Sequence, residues 1–209
     1  MIKEKAKTDQ LMYGVGRIAL KIPISPNAWT VLSLLPAVAG FWLAFEGKLV
    51  FAVIAFAVSG FIDGIDGAVA RLTGRATALG AFIDGTIDRL VDFLLVFSFL
   101  FVGLPDLVLP MTWWVVIGAY FGIMPTFVVA YANHRGAVED PYEKVVWRIL
   151  HRVEMFVLWL LALLAAAFDP SWGSYLFVFV SVLSVVTTFQ TILLAVARSK
   201  QQSAQGRRQ

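Results

Sequence analysis

Six long runs of apolar residues, separated by short polar segments, set the layout of this chain. Each run has roughly 18–25 residues, and a helix needs about 20 apolar residues to cross a bilayer. The runs lack the alternation of polar and apolar positions typical of a barrel strand, so they predict helices. We therefore predict six transmembrane helices, at about residues 27–46, 48–72, 79–103, 110–133, 150–168 and 173–197.

An amphipathic pattern precedes the first run. Between residues 2 and 22, apolar residues recur at helical spacing, and Arg17 and Lys21 fall between them. The apolar positions are Leu11, Met12, Val15, Ile18 and Ala19. They predict a juxtamembrane helix that lies on the membrane surface and ends at Pro23, with a plain linker as the alternative. The predicted organisation is one membrane domain: an interfacial helix over 1–25, a six-helix bundle over 26–198 and a flexible cytoplasmic tail over 199–209.

Composition supports the membrane class. Hydrophobic residues make up 59% of the 209-residue chain, whereas soluble domains contain about 45–50%. Cysteine is absent, which excludes disulfides and thiolate metal sites. The N-terminal residues lack the pattern of a cleaved signal peptide. The net charge of +3 is small, and the sequence contains no nucleic-acid-binding motif. We expect an all-α integral membrane protein that binds no nucleic acid.

The positive charges indicate the topology. Of the 17 lysines and arginines, only Lys48 lies in a connection after an odd-numbered run. The others precede the first run, surround the second–third and fourth–fifth connections, or follow the sixth run. Cytoplasmic loops carry the excess of positive charge, so six spans would place both termini in the cytoplasm. The expected location is the cell membrane, with the active site facing the cytoplasm.

Between residues 63 and 88, four aspartates interrupt the second and third apolar runs, namely Asp63, Asp66, Asp84 and Asp88. The first two are three residues apart and the last two are four apart, so each pair shares one helix face. A carboxylate within a membrane is costly unless something compensates its charge. Divalent metal is the economical compensation, and oxygen-only ligands favour Mg²⁺, Mn²⁺ or Ca²⁺ over Zn²⁺.

The aspartates belong to a longer pattern, Asp63-x2-Asp66-Gly67-x2-Ala70-Arg71-x8-Gly80-x3-Asp84-x3-Asp88. All its fixed positions match the signature of the CDP-alcohol phosphotransferases, the integral membrane enzymes of phospholipid synthesis. The chain therefore resembles this family, and the resemblance extends to the Pro26-Asn27 segment and to the number of apolar runs.

The resemblance implies a role for each position. Asp63, Asp66 and Asp84 would ligate a pair of Mg²⁺ or Mn²⁺ ions that hold the CDP pyrophosphate. Asp88 would contact metal and also act as general base on the acceptor hydroxyl. The counterparts of the family's nucleotide-contacting residues are Ser25, Pro26, Asn27, Ala28, Gly67, Arg71 and Thr77. A homodimer is also implied. The structural alternative is an ion-pair network of the acids with Arg71, Arg75 and Arg89.

The acceptor positions depart from the phosphatidylinositol-phosphate branch of the family. In that branch three basic residues hold the phosphate of the acceptor, and their counterparts here are Asn133, Met155 and Thr191, which are uncharged. We predict acceptor contacts from Asn133, Arg135 and Arg152, although the basic residues equally fit the positive-inside pattern. Inositol phosphate is therefore expected to be a poor acceptor. Serine, glycerol phosphate or an uncharged polyol is favoured.

The predicted function is transfer of a phosphatidyl-type group from a CDP-linked lipid to a small alcohol, with release of CMP. Transfer of a phospho-alcohol from a soluble CDP-alcohol to a lipid hydroxyl would use the same residues and stays open. A divalent-cation transporter and a structural scaffold are the alternatives from other classes. A transporter is expected to carry its acids near the bilayer midplane in two repeated halves, whereas here one cluster has no repeat.

Overall fold

The computed structural model describes residues 22, 24–73, 77–138 and 148–206. These residues form six α-helices: α1 Pro26–Phe45, α2 Leu49–Thr73, α3 Ala78–Ser98, α4 Met111–His134, α5 Arg152–Phe168 and α6 Pro170–Gly206. A short 3-10 helix, Phe99–Phe101, follows α3. Within the described ranges, β-structure is limited to one isolated bridge between Leu107 and Leu109. Each helix lies where the hydropathy pattern predicts one.

Four helical stretches among the described residues are long and apolar enough to cross a membrane: Pro26–Phe45, Leu49–Val69, Met111–His134 and Pro170–Gln202. The other two helices fall short for different reasons. α3 carries Asp84, Asp88, Arg89 and Asp92, and α5 has only 17 residues. The structure thus supports an all-helical integral membrane protein with four candidate spans, and the prediction of six transmembrane helices is not confirmed.

The two ends of the chain compare differently with the sequence predictions. α6 continues to Gly206, past residue 199 where a flexible tail is predicted to begin. The flexibility of this segment stays a prediction. Glutamine, alanine and lysine favour helix, and adding residues to an existing helix is easier than starting one. Residues 207–209 lie outside the described residues. So does the predicted interfacial helix, except for Ile22, Ile24 and Ser25.

The helices form two compact units, Met1–Phe101 and Val102–Gln209. In the first unit α1 packs against both α2 and α3. The start of α1 is fixed locally, because the Ser25 hydroxyl accepts a hydrogen bond from the Ala28 amide (3.2 Å) and Pro26 occupies the first turn.

Close packing holds α1 against α2. Trp29 of α1 and Ile65 and Val69 of α2 form a buried apolar cluster. Farther along, a Cβ atom on Gly40 would lie 2.9 Å from the ring of Phe56. Only glycine permits this approach without displacing the ring, so the sequence itself brings the two helices close.

In the second unit α6 packs against both α4 and α5. The Trp159 indole of α5 lies so close to Gly122 of α4 that a Cβ atom there would clash. α5 and α6 meet in a tight turn, where the Asp169 carboxylate accepts a hydrogen bond from the Ser171 amide at 2.7 Å. The prediction of a single six-helix bundle over residues 26–198 stays a prediction.

Candidate metal centre and active site

Three of the four predicted aspartates converge in the first unit. One carboxylate oxygen from each of Asp63, Asp66 and Asp84 lies within 4.8 Å of the others. Asp66 is buried, and the other two are partly exposed. Asp63 and Asp66 share one face of α2 because they are three residues apart. The N-terminal half of α3 adds Asp84, so two helices supply the cluster.

The spacing of these oxygens suits a divalent cation. Metal–oxygen distances are about 2.0–2.1 Å for Mg²⁺ and about 2.3–2.6 Å for Ca²⁺, so two oxygens on one ion lie at most about 4.2 Å and about 5.2 Å apart, respectively. The three carboxylate oxygens, at 4.8 Å or less, lie within the Ca²⁺ limit and within about 0.6 Å of the Mg²⁺ limit. Like charges at this separation repel one another unless a cation compensates them. The donor set therefore fits a hard cation such as Mg²⁺ or Mn²⁺.

A hydroxyl of α1 contacts this cluster. Thr30 is buried, and its Oγ1 donates a hydrogen bond to Oδ2 of Asp66. The same hydroxyl lies 3.2 Å from the carbonyl oxygen of Pro26. Thr30 was not predicted as a site residue, and its 36-residue separation from Asp66 leaves no local spacing signal that could have identified it. Only the packing of α1 on α2 brings the two side chains together.

Asp88, the fourth predicted aspartate, lies one turn beyond Asp84 on α3, outside the converging set. Its Oδ2 lies 3.6 Å from Nη2 of Arg89, and Nη1 of the same guanidinium lies 3.6 Å from Oδ2 of Asp92. Asp88 and Asp92 are 8% and 6% exposed. One arginine thus bridges two buried carboxylates on α3. The roles of Asp88 as metal ligand and general base remain predictions.

Arg89 and Asp92 were not predicted as site residues. A signal was present, because Asp92 follows Asp88 by four residues and continues the acidic face of α3 by one more turn. Asp92 is the third acid on α3 and the fifth on the two helices, and its charge needs compensation as much as the other four. Arg89 supplies part of that compensation.

Part of the predicted nucleotide segment lies beside the start of α3. Asn27 is close to Gly80, since a Cβ atom on Gly80 would lie 3.1 Å from Oδ1 of Asn27 and 3.2 Å from Oγ1 of Thr77. Thr77 also caps α3, because its hydroxyl accepts a hydrogen bond from the Gly80 amide at 3.0 Å. We call these three residues the Asn27–Gly80 contact. It joins two predicted nucleotide-binding residues through a glycine of the signature pattern.

The other predicted nucleotide residues are less informative. Ser25 caps α1, Pro26 begins it, Ala28 is exposed, and Gly67 is partly exposed on α2. The side chain of Arg71 lies outside the described part of the chain. Nucleotide contact therefore remains a prediction for the whole set.

The predicted acceptor residues lie in the second unit. Asn133 is near the end of α4, Arg135 follows that helix, and Arg152 is the first residue of α5. Of the other two branch counterparts, Met155 is buried, and Thr191 is fully buried with its hydroxyl donating to the Thr187 carbonyl at 2.7 Å. Neither offers a cation or a spare donor, in keeping with the sequence expectation. Acceptor binding itself remains a prediction.

Comparison with known proteins identifies the class. The family model for CDP-alcohol phosphatidyltransferases matches residues 23–200. The chain belongs to this family, as the signature pattern indicated.

Curated relatives share part of their length with the chain. It is 33% identical over 102 residues to the archaetidylinositol phosphate synthase of Pyrococcus horikoshii, a match covering 49% of this chain and 54% of that protein. It is also 33% identical over 128 residues to the phosphatidylinositol phosphate synthase of Mycolicibacterium smegmatis, covering 60% and 50% of the two chains. The chain thus spans about half the length of these relatives.

Solved structures share the fold. A phosphatidylinositol phosphate synthase of Mycobacterium tuberculosis in complex with manganese and citrate superposes with a TM-score of 0.74 at 23% identity, over 88% of each chain. The same enzyme with CDP-diacylglycerol bound gives a TM-score of 0.69 at 24% identity, over 89% of this chain and 94% of the other. At these identities the likeness establishes the fold.

Proposed function

We propose that this protein transfers a phosphatidyl-type group from a CDP-linked lipid to an alcohol and releases CMP. The observation that carries the proposal is the convergence of Asp63, Asp66 and Asp84 within the signature of its family. Two solved structures of one similar enzyme support it, one in complex with manganese and citrate and the other with CDP-diacylglycerol bound. The proposed setting is the cell membrane, with the site on the cytoplasmic side and the protein acting as a homodimer.

In the proposed reaction the three converging carboxylates hold one or two Mg²⁺ or Mn²⁺ ions, with Asp88 as a further ligand. The bound metal supplies positive charge that balances the charge developing on the phosphoryl oxygens and on the leaving CMP. The chain's own contribution is to fix this charge beside the pyrophosphate. Asn27, Thr77 and neighbouring residues of the Ser25–Ala28 segment, with Gly67 and Arg71, bind the nucleotide.

Asp88 is the proposed general base. Its carboxylate takes the proton of the acceptor hydroxyl as the alcohol oxygen attacks the phosphorus that carries the lipid. The new bond joins that oxygen to phosphorus, and the bond from phosphorus to the CMP oxygen breaks. Arg89 and the burial of Asp88 restrict where this carboxylate can lie. The products are the phosphoalcohol lipid and CMP.

The proposed acceptor is a small alcohol such as serine, glycerol phosphate or an uncharged polyol, contacted by Asn133, Arg135 and Arg152. The names of the relatives favour inositol phosphate instead. Against this, Met155 and Thr191 offer no cation at two positions where the phosphatidylinositol-phosphate branch carries basic residues. A dianionic phosphate, of inositol phosphate or of glycerol phosphate, would lose charge-assisted hydrogen bonds worth about 1.5–3 kcal/mol each. Among the proposed acceptors, serine or an uncharged polyol therefore fits these two positions better than glycerol phosphate.

The experiment is a substrate panel with purified protein. CDP-diacylglycerol or its ether-lipid analogue is incubated with Mg²⁺ and serine, glycerol phosphate, inositol or inositol phosphate, and CMP and the lipid product are measured. We expect acceptor-dependent CMP release with one of the first three. If CMP were released from a soluble CDP-alcohol in the presence of a lipid hydroxyl, and not from CDP-lipid, the donor would be the soluble CDP-alcohol and the acceptor the lipid. No release with any pair would contradict the proposal.

A further inference from the structure

The Thr30 hydroxyl of α1 donates a hydrogen bond to Asp66, one carboxylate of the converging set. We propose that Thr30 is a positioning residue, which orients Asp66 for metal binding through its hydroxyl. The catalytic consequence rests on the proposed function, whereas the effect on metal binding follows from the geometry of the first unit.

The direction of the hydrogen bond follows from chemistry. An ionised carboxylate can only accept, so the proton between Oγ1 of Thr30 and Oδ2 of Asp66 belongs to the threonine. A helical threonine usually donates to the carbonyl four residues earlier, here that of Pro26. That oxygen also lies within hydrogen-bonding distance, at 3.2 Å, but an ionised carboxylate is the stronger acceptor of the two. Asp66 is therefore the preferred acceptor.

The hydrogen bond restricts the rotation of the Asp66 carboxylate, which must be restricted in any case when that carboxylate binds a metal ion. Rotation of a carboxylate about its last side-chain bond is broad and weakly restrained. The χ1 angle of a β-branched threonine, in contrast, has few allowed values in a helix. Because Thr30 and Asp66 are 3% and 6% exposed, water competes little for either group. A rigid donor therefore fixes one Asp66 oxygen and, with it, the direction of the other.

The backbone around Thr30 is held in register with α2. The Ser33 hydroxyl donates to the Thr30 carbonyl at 2.6 Å, and the Ser59 hydroxyl of α2 donates to the Ser33 carbonyl at 2.8 Å. All three hydroxyl residues are buried. A buried ladder of hydroxyl groups thus joins the two helices, and Thr30 is its member that reaches a carboxylate.

Ser59 provides a matched control. Its hydroxyl, like that of Thr30, makes one buried hydrogen bond between α1 and α2, but its acceptor is a backbone carbonyl. If Thr30 acted only by holding the helices together, loss of either hydroxyl would have the same effect. If Thr30 orients Asp66, only its loss changes metal affinity.

The test measures Mn²⁺ binding to the purified full-length protein by the electron paramagnetic resonance signal of free Mn²⁺. Thr30→Val keeps the side-chain shape and removes the donor, and we expect its Mn²⁺ affinity to fall by about 10–100-fold, as for other groups that orient metal ligands. Thr30→Ser keeps the hydroxyl donor, and its Mn²⁺ affinity should lie within about threefold of that of the unchanged protein. The same is expected of Ser59→Ala. Thermal unfolding without metal verifies that each variant is folded.

Three outcomes decide the matter. Unchanged Mn²⁺ affinity in Thr30→Val would overturn the positioning role, and so would an equal loss in Ser59→Ala. A loss of Mn²⁺ affinity in Thr30→Ser as large as that in Thr30→Val would also overturn the positioning role. CMP release measured on the same samples separates this inference from the proposed function. Selective loss of Mn²⁺ affinity in Thr30→Val would uphold the role of Thr30 even if the unchanged protein released no CMP.

Discussion

Replacement of Gly80 by alanine would press directly on the Asn27–Gly80 contact. The new methyl group would lie 3.1 Å from Oδ1 of Asn27 and 3.2 Å from Oγ1 of Thr77, which is tighter than ordinary carbon–oxygen contact. Both side chains must therefore move by a few tenths of an ångström. Alanine gains about 0.5–1 kcal/mol over glycine within a helix, whereas a weakened Thr77 cap costs about 0.5–2 kcal/mol. The free energy of unfolding should therefore fall by at most about 1.5 kcal/mol.

The effect on substrate binding should be similar in free energy to the effect on stability, since a tenfold change corresponds to about 1.4 kcal/mol. Because Asn27 and Thr77 are proposed nucleotide contacts, the KM for the CDP-lipid should rise by roughly three- to tenfold. Mn²⁺ binding should stay unchanged, since neither side chain belongs to the converging aspartates. The assay is CMP release as a function of CDP-lipid concentration, with thermal unfolding of the same samples.

Gly85→Ala is the matched control for stability. It lies on the same helix, and a Cβ atom there would meet nothing within 4 Å. It should therefore raise the free energy of unfolding by about 0.5–1 kcal/mol. An unchanged KM in a folded Gly80→Ala protein would refute the role of the Asn27–Gly80 contact in nucleotide binding.

Three further predictions concern the carboxylates and the acceptor. Asp63→Asn and Asp66→Asn should weaken Mn²⁺ binding and CDP-lipid binding together. Asp88→Asn should instead keep much of the CDP-lipid binding and lose roughly 10²–10⁴-fold in turnover. An equal loss of binding in all three variants would show that Asp88 acts chiefly as a metal ligand. Arg89→Gln should lower kcat more than Mn²⁺ affinity, because Arg89 pairs with Asp88, the proposed general base. An equal fall in both would argue against that separation. When inositol phosphate competes with each small alcohol, and the lipid product is identified by mass spectrometry, the product of the small alcohol should predominate. Efficient turnover of inositol phosphate that is lost in Arg152→Ala would instead show that Arg152 supplies the missing positive charge.

Helix positions could be predicted from the sequence because lipid-facing helices must be apolar over a fixed length. The same argument gave six spans, of which four are candidate spans among the described residues. α3 was counted although its four charged residues make it a poor membrane segment by composition, and the end of α6 was predicted as flexible on polarity alone. Polar composition distinguishes helix from disorder poorly when an existing helix can simply continue.

The site shows a similar division. The convergence of Asp63 and Asp66 follows from helical spacing, and the signature pattern pointed to Asp84. Thr30 could not be predicted in this way, because its contact with Asp66 depends on how α1 packs on α2. Arg89 and Asp92 were within reach of spacing arguments, but charge balance at a membrane surface explained the arginine equally well. Local rules identified ligands, and packing was needed to identify the groups that orient them.

The central claim is tested most directly by CMP release from CDP-diacylglycerol before and after metal removal. Purified protein with a competent alcohol and Mg²⁺ should release CMP, lose this activity in EDTA, and regain it when excess Mg²⁺ or Mn²⁺ is added. Asp84→Asn removes one of the three converging carboxylate charges. Its CMP release should therefore be well below that of the unchanged protein at equal metal concentration. Full CMP release in metal-free buffer would contradict a metal-assisted transferase built on Asp63, Asp66 and Asp84.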